Sequence, residues 1–412
     1  MKTQYLVIGG GMTADAAVKA LNRADPDGRT LLVSLEPQPP YKRPPLSKGL
    51  WKGEDEARAD LGTVGTGADM LLGRQVEALD LNDNSVKLDD GTVISYERLL
   101  LATGARARNL PSLAGVPGVV AYRTWADYQQ VKSAVGDGTR VVVIGGGFIG
   151  SEMAAALTNN GAAVTMVFPE AHLGGGRFPA SIGQLVDADY RERGVQLVSG
   201  RSVKSAEAAG GGVWLVLDDG SGLAADLVLV GVGAVPNDEL AKSAGLRTDN
   251  GVVVDAGLRA MNASGTVANV YAAGDVANFE WAALGRRLRI EHEDNAYSMG
   301  SAAGRFMAAA ALGEGADSAP AGGLQYDHLP FFYSDLFDNG YEAVGLLDPR
   351  LQTVEDWRVP GKEGVVYYLE DSLVRGVLLW NTWGQVDAAR DLIQAQQPLT
   401  DADLMGRLPT DD

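Results

Sequence analysis

The chain has 412 residues, enough for two or three domains each with its own core, and 46% apolar with 21% charged residues is the composition of an ordinary globular protein. A net charge of −18 repels phosphate backbones, and the densest basic run, GRRLR at residues 285–289, is too short to offset it, so nucleic acid is excluded as a partner. With no cysteine and only three histidines (His172, His292 and His328), the chain excludes a disulfide scaffold, thiolate catalysis, cysteine-ligated iron–sulfur clusters and a histidine-rich metal site, so no metal is expected.

The first predicted strand begins at Gln4, which leaves no room for a signal peptide. No window of about 18 apolar residues is free of charge, so no membrane span is expected, and the location read from this is cytoplasmic. The run QYLVIGGG does not alternate, as expected of a strand buried on both faces of a parallel sheet, and an alanine-rich helix follows. Its small residues fall at Gly9, Gly11 and Ala14. In such a turn the first glycine makes the bend, and the second lets backbone N–H groups approach a pyrophosphate. The third position must be small so that helix and strand can touch. The next strand, TLLVSLE, ends at Glu36, where a carboxylate can accept hydrogen bonds from ribose hydroxyls. A hairpin is predicted at Asp90-Gly91, and an apolar strand then runs to Thr103 and Gly104.

The same order of features then returns. RVVVIGGG leads into Gly145, Gly147 and Gly150, and AVTMVFPE ends at Glu170. A hairpin follows at Asp219-Gly220, and an apolar strand stops at Gly233. A carboxylate at Glu170 would repel a 2′-phosphate, which favours NADH over NADPH. One glycine-rich turn is a weak signal, but two copies with matching acidic residues and hairpins imply two dinucleotides, one passing electrons to the other. From about Gly322 the pattern changes. EGVVYYLEDSLVRGVLLWN reads as a hairpin around Glu370-Asp371, and residues 385–396 read as a helix with Asp387 as its N-cap. The fold class is therefore α/β, with two Rossmann-like dinucleotide-binding domains and a C-terminal α+β domain. The expected boundaries are 1–114 with 243–321 for the first domain, 115–242 for the second and 322–412 for the third. The chain would leave the first domain near residues 111–117 and return near Pro236-Asn237.

Five further stretches carry a resemblance: PPYKRPPLSKGLW, ATGARAR, YAAGDVANF, RIEHEDNA and FFYSDLFDNGYEAVG. With them the chain resembles the flavin- and pyridine-nucleotide-dependent oxidoreductases of the glutathione-reductase-like superfamily, over nearly its whole length. Within that superfamily it is most similar to the apoptosis-inducing factor group, through VFPE, VPNDELAKSAGL and Glu291-His292, and next to the ferredoxin reductases. The resemblance implies FAD on the first turn and NAD(H) on the second. It implies an enzyme in which NADH gives a hydride to flavin N5 and a separate acceptor takes the electrons. That acceptor could be a ferredoxin-type protein, a quinone or a small oxidant. The alternative it implies is a slowly turning-over NADH sensor that forms a long-lived complex of reduced flavin with NAD and dimerises. A bare NADH oxidase is a weaker third reading.

The resemblance also implies roles for particular residues. Lys48 and Glu152 match the flavin-side lysine and its carboxylate partner, and Phe148 matches the ring that covers the flavin and yields to nicotinamide. Glu291 and His292 match contacts to the nicotinamide carboxamide and the flavin edge. A helix starting near Asn295 would direct its positive end at the flavin. Arg43 and Arg108 would reach the FAD diphosphate or adenine, and Gly274-Asp275 would close the FAD site at the ribityl or phosphate region, where Asp275 could also cap a helix. Val76 is a further cofactor contact. Tyr333 stands where tryptophan is frequent. Glycine (Gly176) stands where a lysine reaches the NAD phosphates, which leaves Arg177 as the substitute. Arg286, Arg287 and Arg289 are candidates for a basic docking patch, and the last domain implies a homodimer, formed perhaps in response to NADH.

Overall fold

The apolar run at the start of the chain forms the strand Lys2–Ile8, whose last four residues are all buried. The computed structural model describes residues 1–313 and 324–408. The chain divides into two units: Met1–Arg43, Asp55–Arg106 and Val235–Pro330 in one, and Pro44–Glu54, Ala107–Ala234 and Phe331–Asp412 in the other. The chain passes between them at Arg43/Pro44, Glu54/Asp55, Arg106/Ala107, Ala234/Val235 and Pro330/Phe331. The boundary expected at 321/322 lies outside the described residues.

In the first unit, five strands run parallel in the order Gly265–Ala272, Val93–Leu101, Lys2–Ile8, Thr30–Ser34 and Asp69–Leu72. Strand order reverses at Lys2–Ile8, where the chain builds outward to Thr30–Ser34 and Asp69–Leu72 on one side and to Val93–Leu101 and Gly265–Ala272 on the other. In open α/β sheets, ligands bind outside the carboxyl ends of the strands at such a point. An antiparallel meander, Val76–Asp80 and Ser85–Leu88, leads into Val93–Leu101. The predicted hairpin is there, with Gly91 at φ 83°, a left-handed conformation that glycine adopts without strain. The helices Met12–Ala24 and Glu293–Ala311 pack against each other at close range. A Cβ at Gly304 would lie 2.5 Å from the Ala17 carbonyl oxygen, so only glycine permits the contact.

In the second unit, five strands run parallel in the order Gln196–Ser199, Ala163–Phe168, Arg140–Ile144, Leu227–Val230 and Val119–Ala121. Here the reversal falls at Arg140–Ile144, the strand of the second glycine turn. A three-stranded antiparallel sheet (Val203–Ala209, Gly212–Leu217 and Gly222–Ala225) supplies Val213, Leu215 and Leu217 to a core shared with Val142, Ile144, Val228 and Val230.

The C-terminal segment of this unit holds more strand than the sequence pattern predicts. Five strands form one antiparallel sheet in the order Phe331–Leu336, Asn339–Gly345, Leu373–Trp380, Glu363–Glu370 and Gln352–Val359. The predicted hairpin is its last connection, and Asp371 and Ser372 take φ of 52° and 62° to turn it. Two successive positive φ values match the right-handed twist of the strands they join. The following helix runs Val386–Gln394. Its N-cap is Gln385, not Asp387, because Asp387 already lies inside the first turn, where it pairs with Arg390 at 2.8 Å. No helix among the described residues is long and apolar enough to cross a membrane.

Candidate active site

Each glycine turn can be tested position by position. Gly9 (φ 129°) and Gly145 (φ 109°) bend the chain where other residues are strained. A Cβ at Gly9 would sit 2.0 Å from the Ala102 carbonyl oxygen, and one at Gly145 would sit 2.4 Å from that of Gly231. The third positions are packed: Ala14 is fully buried, and a Cβ at Gly150 would meet the Gly145 carbonyl at 2.0 Å. The second positions differ from both. Gly11 and Gly147 have φ of −101° and −81°, which any residue adopts. A Cβ at Gly11 would meet nothing within 4 Å, and one at Gly147 would meet only the Gly231 carbonyl, at 3.9 Å. No protein atom requires glycine at these two places. Both are helix N-caps without a side-chain cap, so first-turn N–H groups face the open space that glycine leaves. A pyrophosphate fits such a cradle, and two cradles fit two dinucleotides.

In the first unit, Glu36 ends the strand region after Thr30–Ser34 and is held by two partners. Arg43 Nη2 donates to it at 2.6 Å and the Tyr41 hydroxyl at 2.6 Å. Burial opposes the Arg43 charge, but Tyr41, Glu36 and Asp275 outweigh it and raise the guanidinium pKa. Arg43 therefore reaches Glu36 and the field of Asp275. Gly274 (φ 74°) packs so tightly on the first helix that a Cβ would lie 2.1 Å from Thr13 Oγ1, which brings Asp275 beside the first glycine turn. Asp275 is inside the short 3₁₀ turn Gly274–Val276, whose N-cap is Ala273, so it does not cap a helix. Thr103 and Gly104 (φ 63°) are locked to Asn237: Thr103 Oγ1 donates to the Asn237 carbonyl at 2.7 Å, and Asn237 Nδ2 donates back to the Thr103 carbonyl at 2.8 Å. Val76 pairs with Leu88 in the meander.

Glu291 is bound by Arg289 at 2.5 Å, and Arg289 also donates to the Asp275 carbonyl at 3.1 Å. The Arg289 side chain is only 8% exposed, so it belongs to this cluster and not to a docking surface. Arg287 likewise spends its guanidinium on the Val254 and Asn278 carbonyls, and burial lowers its pKa. Of the three arginines expected as a docking patch, Arg289 is thus an internal tie, while the Arg287 side chain is 31% exposed. His292 is the N-cap of the helix Glu293–Ala311, two residues earlier than the start expected near Asn295. Asp294, in the first turn, is 2.6 Å from His328.

In the second unit, Glu170 is exposed just beyond the strand Ala163–Phe168, and the Gly233 carbonyl (φ 95°) accepts from the Arg108 N–H at 2.9 Å. Lys48 and Glu152 form an ion pair whose side chains are 12% and 6% exposed. Two residues that the sequence pattern does not mark complete it: Ser47 Oγ donates to Glu152 Oε2 at 2.6 Å, and Ser334 Oγ donates to Oε1 at 2.6 Å. The buried Glu152 carboxylate thus accepts from three donors, Lys48, Ser47 and Ser334. Lys48 Nζ also lies 5.3 Å from the centre of the Tyr333 ring. Phe148 is the first residue of the helix Phe148–Asn159; its ring meets Phe332 edge-on at 5.2 Å, and the Arg177 guanidinium covers it at 3.7 Å. Among the described residues no group of three or more histidines and carboxylates could hold a metal.

Residues 3–300 match the family described as Pyridine nucleotide-disulphide oxidoreductase. The chain is 31% identical to apoptosis-inducing factor 1, mitochondrial, of Dictyostelium discoideum, over 97% of its own length and 79% of that protein's. It is 36% identical to the ferredoxin–NAD(+) reductase component of an anthranilate 1,2-dioxygenase system from Burkholderia cepacia, over 85% of its length and 84% of the relative's. Among solved structures, a ferredoxin reductase from Rhodopseudomonas palustris matches with a TM-score of 0.86 and 28% identity, covering 99% of this chain and 98% of that one.

Proposed function

This chain belongs to the pyridine nucleotide-disulphide oxidoreductase family, and on that premise we propose that it carries electrons from NADH to a ferredoxin-type protein. It is an NAD(H)-dependent flavoprotein oxidoreductase with FAD and NAD(H) as cofactors. The observation that carries the proposal is the pair of glycines, Gly11 and Gly147, kept where only a ligand needs the space. The chain contains no cysteine, so no dithiol of its own can take the electrons, and they must leave to a separate acceptor. The reductase from Burkholderia cepacia, 36% identical, supports a ferredoxin in that place.

FAD, when bound, accepts the hydride of NADH and releases its two electrons to the acceptor. The chain's residues supply position and charge. Gly9, Gly11 and Ala14 give the diphosphate of FAD its backbone donors, with Glu36 and Arg43 toward the adenosine and Asp275 toward the ribityl chain. Val76, Thr103, Gly104, Arg108 and Gly274 complete that side. Gly145, Gly147, Gly150 and Gly233 do the same for NADH, and Glu170 accepts from its ribose hydroxyls. Lys48 stabilises negative charge arriving on the flavin, while Glu152, held by Ser47 and Ser334, pairs with it and fixes its position. Phe148 occupies the nicotinamide's place until NADH arrives. Glu291 and His292 orient the carboxamide, and Tyr333 packs on the Lys48 side. The reading includes a homodimer and a cytoplasmic location.

A second reading is favoured by the 31% identity to apoptosis-inducing factor 1 over 97% of the chain: a slow NADH sensor whose reduction drives dimerisation. NADH added in air separates the two. A reductase loses any long-wavelength absorbance within its turnover time once ferredoxin is present, and its sedimentation does not change. A band that persists with acceptor, together with a faster-sedimenting species, would select the sensor and reject the reductase.

A further inference from the structure

Arg177 lies on the loop after the strand Ala163–Phe168, and that loop is tied to the second glycine turn: the Gly174 N–H donates to the Gly146 carbonyl at 3.0 Å. The backbone at Arg177 is fixed. Its N–H donates to the Gly174 carbonyl at 2.8 Å, and its own carbonyl accepts from the Tyr368 hydroxyl at 2.8 Å. The neighbouring Phe178 is buried edge-on against Tyr341 at 5.2 Å and Trp380 at 6.0 Å. Burial pushes the Tyr341 hydroxyl up to about 12, and the nearby Arg177 charge opposes that rise.

The side chain is held by contacts that can be exchanged. Its guanidinium is 3.7 Å from the centre of the Phe148 ring and 5.6 Å from that of Phe178 and shares a hydrogen bond with the neutral Tyr341 hydroxyl, while its Nε, although shielded from solvent, has no hydrogen-bond partner. Phe148 opens the helix whose first-turn N–H groups face the cradle at Gly147. The cation therefore stands on the ring that must move and beside the place where phosphates are received. A guanidinium held by neutral rings and a neutral hydroxyl is held less strongly than one in a charge-assisted bond to a phosphate oxygen, an ion pair.

We propose that Arg177 makes this enzyme demand a dinucleotide: with the site empty it latches Phe148, and the diphosphate of NADH draws it off the ring, releasing Phe148 for the nicotinamide. The inference rests on the reading above, in which Phe148 occupies the nicotinamide's place. Arg177 is on this account a specificity-determining residue. A hydride donor with the same ring but no phosphate has nothing to release the latch.

Dihydronicotinamide riboside is that donor. The hydride leaves C4 of its ring, which becomes a pyridinium, and the two electrons reach the flavin. The test uses the FAD-loaded enzyme with two readouts: ADP-ribose affinity by calorimetry, and the anaerobic rate of flavin reduction by the riboside. Arg177→Ala is expected to weaken ADP-ribose about 10-fold, the worth of one charge-assisted contact, and to speed reduction by the riboside roughly 3-fold. Arg177→Lys keeps the charge and loses the planar stack. It should retain more of the ADP-ribose affinity than Arg177→Ala and still react faster with the riboside. In a Phe148→Ala background, Arg177→Ala should no longer accelerate the riboside. If either variant folds poorly, judged by flavin content and thermal midpoint, the other carries the test. Unchanged or slower reduction by the riboside in the folded variants would overturn the latch, as would unchanged ADP-ribose affinity in Arg177→Ala. A wild type that neither binds ADP-ribose nor is reduced by NADH would instead overturn the function itself.

Discussion

Gly9 and Gly11 are two residues apart and answer to different demands, which substitution can separate. Gly9 has a left-handed φ of 129° and a neighbouring carbonyl where its Cβ would be. Gly9→Ala should cost at least about 2 kcal/mol of apoprotein stability. Gly11 is unstrained with open space around it, so Gly11→Ala should leave the apoprotein as stable or about 0.4–1 kcal/mol more so, by restricting the unfolded chain. The same substitution puts a methyl group into the cradle, and flavin content after purification should fall sharply. Denaturant unfolding of apoprotein with absorbance of the purified holoprotein checks both. Loss of stability without loss of flavin in Gly11→Ala would assign that glycine to the fold. The buried pair shows the same division of legibility. Lys48 and Glu152 can be paired from the sequence because the resemblance marks both. Ser47 and Ser334 cannot, since a serine reaching a carboxylate 182 residues away leaves no local pattern.

At the scale of elements, what is legible is what is local. Both glycine turns, the three predicted hairpins and the strand Val93–Leu101 are encoded within short windows, by unalternating apolar runs and by residues that tolerate positive φ. The five-stranded C-terminal sheet is not so encoded. Phe331–Leu336 and Asn339–Gly345 carry several charged and polar residues, and only pairing with Leu373–Trp380 makes them strands of one sheet. The Asp387 cap fails for a related reason: capping preference places a helix start only to within a residue or two, and the helix begins at Val386 with Gln385 as its N-cap. Packing of Met12–Ala24 on Glu293–Ala311 gives a prediction at this scale. Gly304→Leu must force apart two helices at a point where even a Cβ would be 2.5 Å from the Ala17 carbonyl. The expected cost is about 1–3 kcal/mol, with flavin lost at lower denaturant than the fold itself, because Thr13 in the first helix packs on Gly274. Denaturation followed in parallel by flavin fluorescence and circular dichroism checks this; coincident curves at the wild-type midpoint would contradict it.

For the molecule as a whole, composition sets the exclusions and the repeat sets the function. A charge of −18 disfavours a phosphate polymer as partner, and zero cysteines rule out an internal dithiol; neither says which acceptor is used. Of the arginines that charge counting offers for steering an acidic partner, Arg289 is spent inside the first unit on Glu291 and Arg287 binds the Val254 and Asn278 carbonyls, a fact that charge counting cannot reveal. The central claim is that one nucleotide fold holds a flavin and the other brings NADH to it. Anaerobic stopped-flow absorbance tests it most directly. The account predicts a yellow protein whose flavin band bleaches on mixing with NADH and returns when a ferredoxin-type acceptor is added. A colourless protein that takes up no flavin, or a flavin band that NADH leaves unchanged, would contradict it.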